Sequence, residues 1–145
     1  MHQLNDPSLL KTFSYINGSW HSSSSQIDVT NPATGELVSK VSNAGVEEAT
    51  LAVKAAKDAF SAWSKKPANE RAGLLRKWFD LMMENQEDLG RILTLEQGKP
   101  LAEAKGEIAY GAAFIEWFAE ESKRVYGDTI PGPSGDKRIV VIKQP

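Results

Sequence analysis

The chain has 145 residues, 41% of them hydrophobic, with 17 basic against 19 acidic side chains; this describes one globular unit, long enough to bury roughly 70% of its unfolded surface. It has no cysteine, and its two histidines, His2 and His21, both lie in the polar N-terminal stretch, which excludes disulfides, thiolate metal sites and a thiol nucleophile and leaves few acid–base groups. A net charge of −2 argues against a nucleic-acid partner, and no apolar run is long enough to span a membrane.

Residues 1–45 carry only five charged side chains: Asp6, Lys11, Asp28, Glu36 and Lys40. Phe13 to Asn17 alternates with period two and reads as a half-buried strand. Asn17-Gly18 is a hairpin-turn dipeptide, and Ser19 to His21 returns. After the Ser22–Ser25 loop, Gln26 to Thr30 alternates again. Asn31 to Glu36 is a turn, because Pro32 presets φ and Gly35 accepts positive φ. Leu37 to Val41 follows as a strand. This first zone reads as a small antiparallel meander.

Residues 46–126 read as a charged block of four helices. Ala49, Ala52, Val53, Ala56, Phe60 and Trp63 recur at spacings of three and four, which predicts one apolar stripe against a core. Pro67 opens a second helix with Leu74, Leu75, Trp78, Phe79 and Met82 on its stripe. Asn85 is positioned to cap a third helix carrying Leu89, Ile92 and Leu93, and Gly98 to end it. The last helix is predicted from about Pro100 to Val125, with Ala104, Ile108, Ala112, Ile115 and Phe118 or Ala119 inward. Its Gly106 and Gly111 each cost about 1 kcal/mol relative to Ala, so a close helix–helix approach or a ligand is expected beside them. In residues 127–145, a turn-rich loop (Gly127–Ser134–Gly135) precedes an apolar strand from Lys137 to Pro145. Such a strand needs a partner, within this chain, on another chain, or in a continuation of the sequence. The fold class is therefore α+β: short N-terminal antiparallel strands, a four-helix block and a C-terminal strand arm.

Few residues are equipped for chemistry. No glycine-rich phosphate loop follows a strand, and Gly98-Lys99 lacks the upstream glycine of a P-loop. The serines have no His–Asp partners in a recognisable spacing. Glu96, Glu103 and Glu107 read as solvated helix charges. Trp63, Trp78 and Trp117 lie on or near apolar stripes and read as core. The start, Met1 to Pro7, lacks the basic residues and apolar run of a signal peptide, so a cytoplasmic location is expected.

Several segments together resemble the N-terminal part of the aldehyde dehydrogenase superfamily. They are Tyr15 to Trp20, Val29 to Glu36, Lys57 to Trp63, Glu70 to Arg76, and Gly127 to Pro131. The most specific is Leu95-Glu96-Gln97-Gly98-Lys99-Pro100-Leu101-Ala102-Glu103-Ala104. Gly106-Glu107-Ile108 followed by Phe114 to Glu121 is most similar to the bacterial succinate-semialdehyde branch. The resemblance implies an α/β parent enzyme, using NAD or NADP, that oxidises succinate semialdehyde to succinate through a thiohemiacetal. In that family the corresponding region supplies helices beside the nicotinamide-binding domain and a hairpin arm for subunit assembly. It implies that the catalytic cysteine and dinucleotide-binding elements lie beyond Pro145. This chain alone is then expected to bind no cofactor and to turn over no aldehyde, and residues 128–145 are expected to pair with themselves or with full-length subunits. By position, Val29, Thr30 and Glu96 match a monovalent-cation site, and Gly106 and Tyr110 match the wall of the substrate tunnel. Two other readings stay open: a non-catalytic module that docks on full-length subunits through its terminal strand, and a segment of a dehydrogenase for another aldehyde.

Overall fold

The computed structural model describes residues 4–144. His2 and Pro145, named above among the candidate groups and in the last strand, lie outside the described residues. The chain enters through a 3-10 turn, Pro7–Leu9, whose Ser8 amide donates to the Asp6 carboxylate at 2.9 Å. Strands β1 (Ser14–Ile16) and β2 (Ser19–His21) then pair antiparallel with Ser14 opposite His21. Asn17 and Gly18 between them have φ of 49° and 80°. Positive φ at both central positions gives the turn whose twist matches the strands. Strands β3 (Gln26–Thr30) and β4 (Leu37–Ser42) form a second antiparallel pair, with a register shift between Val29 and Thr30.

These two hairpins do not join into the expected meander. The serine loop turns the chain out of the ladder, and Ser42 ties the pieces together instead. Its amide donates to the Thr12 carbonyl at 2.9 Å, and its hydroxyl accepts from the Ser23 amide at 3.3 Å.

Four helices follow: α1 (Val46–Ser64), α2 (Ala68–Glu84), α3 (Gln86–Gln97) and α4 (Leu101–Glu121). The Pro67 carbonyl accepts from the Glu70 and Arg71 amides, so the proline sits just ahead of α2 as its sequence position predicts. Asn85 is the joint between α2 and α3. Its side chain does not cap α3; it donates back to the Leu81 carbonyl at 2.8 Å, closing α2 instead. Gly98 ends α3 in the left-handed region at φ 80°, as expected of a helix terminator. The last helix stops at Glu121, short of the predicted Val125. The amides of Lys123 and Arg124 bond three residues back, to Glu120 and Glu121, which tightens the end out of α-helical geometry.

The core is small and made of small residues. Helix α4 packs on α2 and α3. Ala72 of α2 and Ala104, Ala112 and Ala119 of α4 are buried, with Ile16 on β1. Alanines let these backbones approach closely, but they remove little apolar area from water. Among the described residues no large side chain is fully buried. The expectation that Trp63, Trp78 and Trp117 form the core is overturned: they are 43%, 55% and 64% exposed.

Helix α1 also departs from expectation. It touches β1, and no residue of it is buried. Leu51, Lys54, Ala55 and Asp58 border a cleft of about 410 Å³ against Ile16 and His21 of the β1–β2 hairpin. Spacings of three and four place those four residues on one side of α1. The predicted core stripe (Ala49, Ala52, Val53, Ala56, Phe60, Trp63) lies on the opposite side, and all six are exposed.

The turn-rich segment after α4 contains a strand that sequence patterning did not show, β5 (Asp128–Pro131). It pairs antiparallel with β6 (Arg138–Val141). The terminal strand is thus shorter than the predicted 137–145. Asp128 faces Val141 at the end of the register, so Ile142 has no residue of β5 opposite it. Of the partners open to the terminal strand, the one seen is within this chain. Among the described residues no helix is long and apolar enough to cross a membrane.

Candidate functional site

Helix α4 carries the two candidate tunnel residues on one face. Gly106 and Tyr110 are one turn apart, and Phe114 is the next residue along that row. The Tyr110 and Phe114 rings meet edge to face at 5.0 Å. With Ala113, Trp117 and Phe118 they line an open depression of about 330 Å³. Tyr110 is 67% exposed and Phe114 49%. A Cβ built on Gly106 or Gly111 meets no heavy atom within 4 Å. The expected close helix contact at these glycines is therefore absent among the described residues, and the face stands open in front of Gly106.

The close approach lies elsewhere, at Gly90. A Cβ there would sit 2.8 Å from Lys105 Cγ and 3.3 Å from the Lys105 backbone nitrogen. Lys105 is a junction between α3 and α4: its carbonyl accepts from Gln86 Nε2 at 2.9 Å, and its ammonium bonds Glu87. That bond, with Arg91 adding to it, holds the Glu87 carboxyl below its ordinary range. Gly90 gave no warning in the sequence, because a single glycine inside a short helix names no partner.

The candidate cation ligands lie on two elements that meet. Helix α3 touches β3. At the end of α3, a Cβ on Gly98 would be 2.8 Å from Pro32 Cγ, so the turn after β3 packs directly on the helix terminus. Glu96 is exposed in the last turn of α3, Val29 is half-buried, and Thr30 is exposed beside the register shift of β3. A shift of this kind disrupts the local ladder. Backbone carbonyls there, with a carboxylate, are the oxygen donors a hard cation takes. Among the described residues no three His, Cys, Asp or Glu side chains form a metal cluster.

Sequence reasoning missed one further polar site. Asp88, in the first turn of α3, is 3% exposed. Its carboxylate accepts from the Asn5 amide at 3.0 Å, the Asn5 side-chain amide at 3.1 Å and the Asp6 amide at 2.7 Å. The two backbone donors hold its carboxyl below the ordinary aspartate range, against the opposing effect of burial. The only sequence signal was an aspartate near a helix N-terminus, where a carboxylate is at home anyway.

A family model, the aldehyde dehydrogenase family, matches residues 20–145. The chain is 58% identical to glutarate-semialdehyde dehydrogenase of Pseudomonas putida over 99% of its own length and 30% of the relative's. It is 57% identical, with the same coverage, to the succinate-semialdehyde dehydrogenase [NADP(+)] of Escherichia coli (strain K12). The crystal structure of succinate-semialdehyde dehydrogenase from Burkholderia pseudomallei superposes with a TM-score of 0.95 at 55% identity, over 98% of this chain and 30% of that one. The chain thus spans about 30% of the length of the relatives it matches. Four helices with short antiparallel strand pairs, in the order and packing of the N-terminal part of that fold, and this level of identity place the chain in the aldehyde dehydrogenase family.

Proposed function

We propose that this chain is the N-terminal segment of an NAD(P)-dependent aldehyde dehydrogenase that oxidises succinate semialdehyde, or a similar short acidic aldehyde, to the acid. One observation carries the reading: near-equal identity, 58% and 57%, to dehydrogenases named for the glutarate and succinate semialdehydes. In such an enzyme a cysteine thiolate would attack the aldehyde carbon, NAD(P) when bound would accept the hydride from that carbon, and water would release the acid and return the thiolate. This chain has no cysteine, so the attacking thiolate is not among its residues. Their part is to bind and shape. Gly106 and Tyr110 form one wall of the aldehyde's approach, with the glycine keeping that wall open. The carbonyls of Val29 and Thr30 and the Glu96 carboxylate hold a monovalent cation that braces β3 against α3. The parent enzyme is a cytoplasmic oligomer, and the isolated chain turns over no aldehyde.

The test is a chimera in which this chain replaces the matching segment of the E. coli relative. Succinate-semialdehyde oxidation with NADP(+), followed by absorbance of the reduced cofactor, is expected to persist. Tyr110→Ala in the chimera is expected to lower kcat/KM about tenfold, equivalent to about 1.4 kcal/mol of lost transition-state binding. A soluble, folded chimera with no semialdehyde activity overturns the proposal. A second reading, a module that docks on complete subunits by strand addition, is favoured by β5–β6, a two-stranded hairpin exposed at every residue. Co-purification with a full-length relative that is lost on deleting residues 128–144 supports it.

A further inference from the structure

Gly106 lies inside α4, faces open space, and is of a residue type that holds a helix weakly. Both of its chain neighbours are tied down. Lys105 has three attachments to α3. Its ammonium bonds the Glu87 carboxylate, which Arg91 also holds at 3.3 Å. Its carbonyl accepts from Gln86 Nε2 at 2.9 Å. Its stem lies over Gly90, where a Cβ would come within 2.8 Å of Cγ. Glu107 bonds the ammonium of Lys99, which stands between α3 and α4. Successive residues of an α-helix point about 100° apart, so Lys105 and Glu107 stand on either side of the row formed by Gly106 and Tyr110. A single half-exposed ion pair fixes little. Here there are two, one on each side of the row, with a hydrogen bond and a seated lysine stem added. Together they hold the backbone where the glycine would let it give.

Resting on the reading above that Gly106 and Tyr110 form one wall of the aldehyde's approach, we propose that Lys105 and Glu107 are positioning residues for the reaction. Through Glu87 and Lys99 they fix the α4 backbone around Gly106 and so set where the Tyr110 ring stands. Neither touches the aldehyde. The glycine leaves room, and its tethered neighbours keep that room one size. Such a wall meets the aldehyde in the ground state and in the transition state alike, so loosening it raises KM and leaves kcat in place.

The experiment has two arms. In the active chimera, Lys105→Met and Glu107→Gln are each expected to raise the KM for succinate semialdehyde about threefold to tenfold, with kcat and the KM for NADP(+) within about twofold. Lys105→Arg, which keeps a cation on a long stem, is expected to recover most of the loss. Lys66→Gln, which removes an exposed ion pair at the start of α2, changes none of these values. Ala at position 106 makes the helix itself firmer, so Lys105→Met is expected to raise KM less in a Gly106→Ala background; an independent structural defect would keep its full factor there. Glu107 is exposed, so its variant carries the test should Lys105→Met not fold. In the free chain, hydrogen exchange is read at the amides of residues 107–110, whose helical bonds close over Gly106. These are expected to exchange faster in Lys105→Met and in Glu107→Gln than in the unaltered chain. An aldehyde KM that is unchanged in both variants of an active chimera, or that rises together with the cofactor KM, overturns the inference and leaves the family reading standing. Equal exchange rates in the variants and the unaltered chain overturn it as well. An inactive chimera strikes the family reading itself, and this inference with it.

Discussion

Replacing Asp88 with Asn keeps the side chain's shape and removes its charge. One of its two acceptors then becomes an NH₂ group facing the backbone amides of Asn5 and Asp6, which have only donors to offer. Amides of residues 4–10 are expected to exchange faster in Asp88→Asn, measured by hydrogen exchange with mass spectrometry. The pH dependence has a definite sign. The folded-state carboxyl is held below its unfolded value, so its contribution is complete above the ordinary aspartate range and is lost as pH falls through the folded value. Melting temperature is therefore expected to fall on acidification below about pH 4, and to fall less in Asp88→Asn. The glycines make a sharper set. Gly90→Ala forces a methyl into Lys105 and is expected to cost about 1–2 kcal/mol. Gly98→Ala combines positive φ with the Pro32 contact and is expected to cost a similar amount, about 1–2 kcal/mol. Gly106→Ala meets open space inside a helix and is expected to stabilise by about 0.5–1 kcal/mol. Urea midpoints of the three variants check the order. The same Gly106→Ala in the active chimera is expected to raise KM, separating the helix cost of the glycine from its place in the tunnel wall.

At the scale of elements, the punctuation was legible and the partners were not. Pro67, Gly98 and the Asn17-Gly18 pair act through backbone φ, a property of the residue itself, so they marked boundaries correctly. Residues 128–131 did not read as a strand because Pro131 and the glycines around it are turn formers, and only the register with Arg138–Val141 makes them β. Periodicity located the α1 stripe but carried no information on what would face it. The candidate site has the same split. Gly106 and Tyr110 entered through the family resemblance, and helical spacing puts them on one face of α4, whereas the packing of Pro32 on Gly98, which brings β3 to the end of α3, depends on contact between distant segments. Hairpin β5–β6 lends itself to a further test. Both strands are exposed throughout, and an isolated pair of strands is marginal in water. Amides of 128–141 are expected to exchange well ahead of those around Ala104, Ala112 and Ala119.

For the whole molecule, the imbalance between surface and core sets the behaviour in solution. Among the described residues four alanines and one isoleucine make up the buried apolar set, while many large apolar side chains are exposed. Exposed apolar area of this extent marks interaction surfaces and promotes association. The purified chain is expected to bind a hydrophobic dye strongly and to self-associate as concentration rises, read by light scattering after size-exclusion chromatography.

The Asp88 latch has a consequence for the order in which the chain takes shape. Asn5 and Asp6 bond to a residue 83 and 82 positions later, across both hairpins and two helices. During synthesis the earliest residues emerge first, and folding usually proceeds from that end. Here the carboxylate that receives the Asn5 and Asp6 amides does not exist until the start of α3 has been made. Residues 5 and 6 thus gain these bonds only after both hairpins and two helices have been made, so a ribosome paused before α3 would hold them without the Asp88 carboxylate.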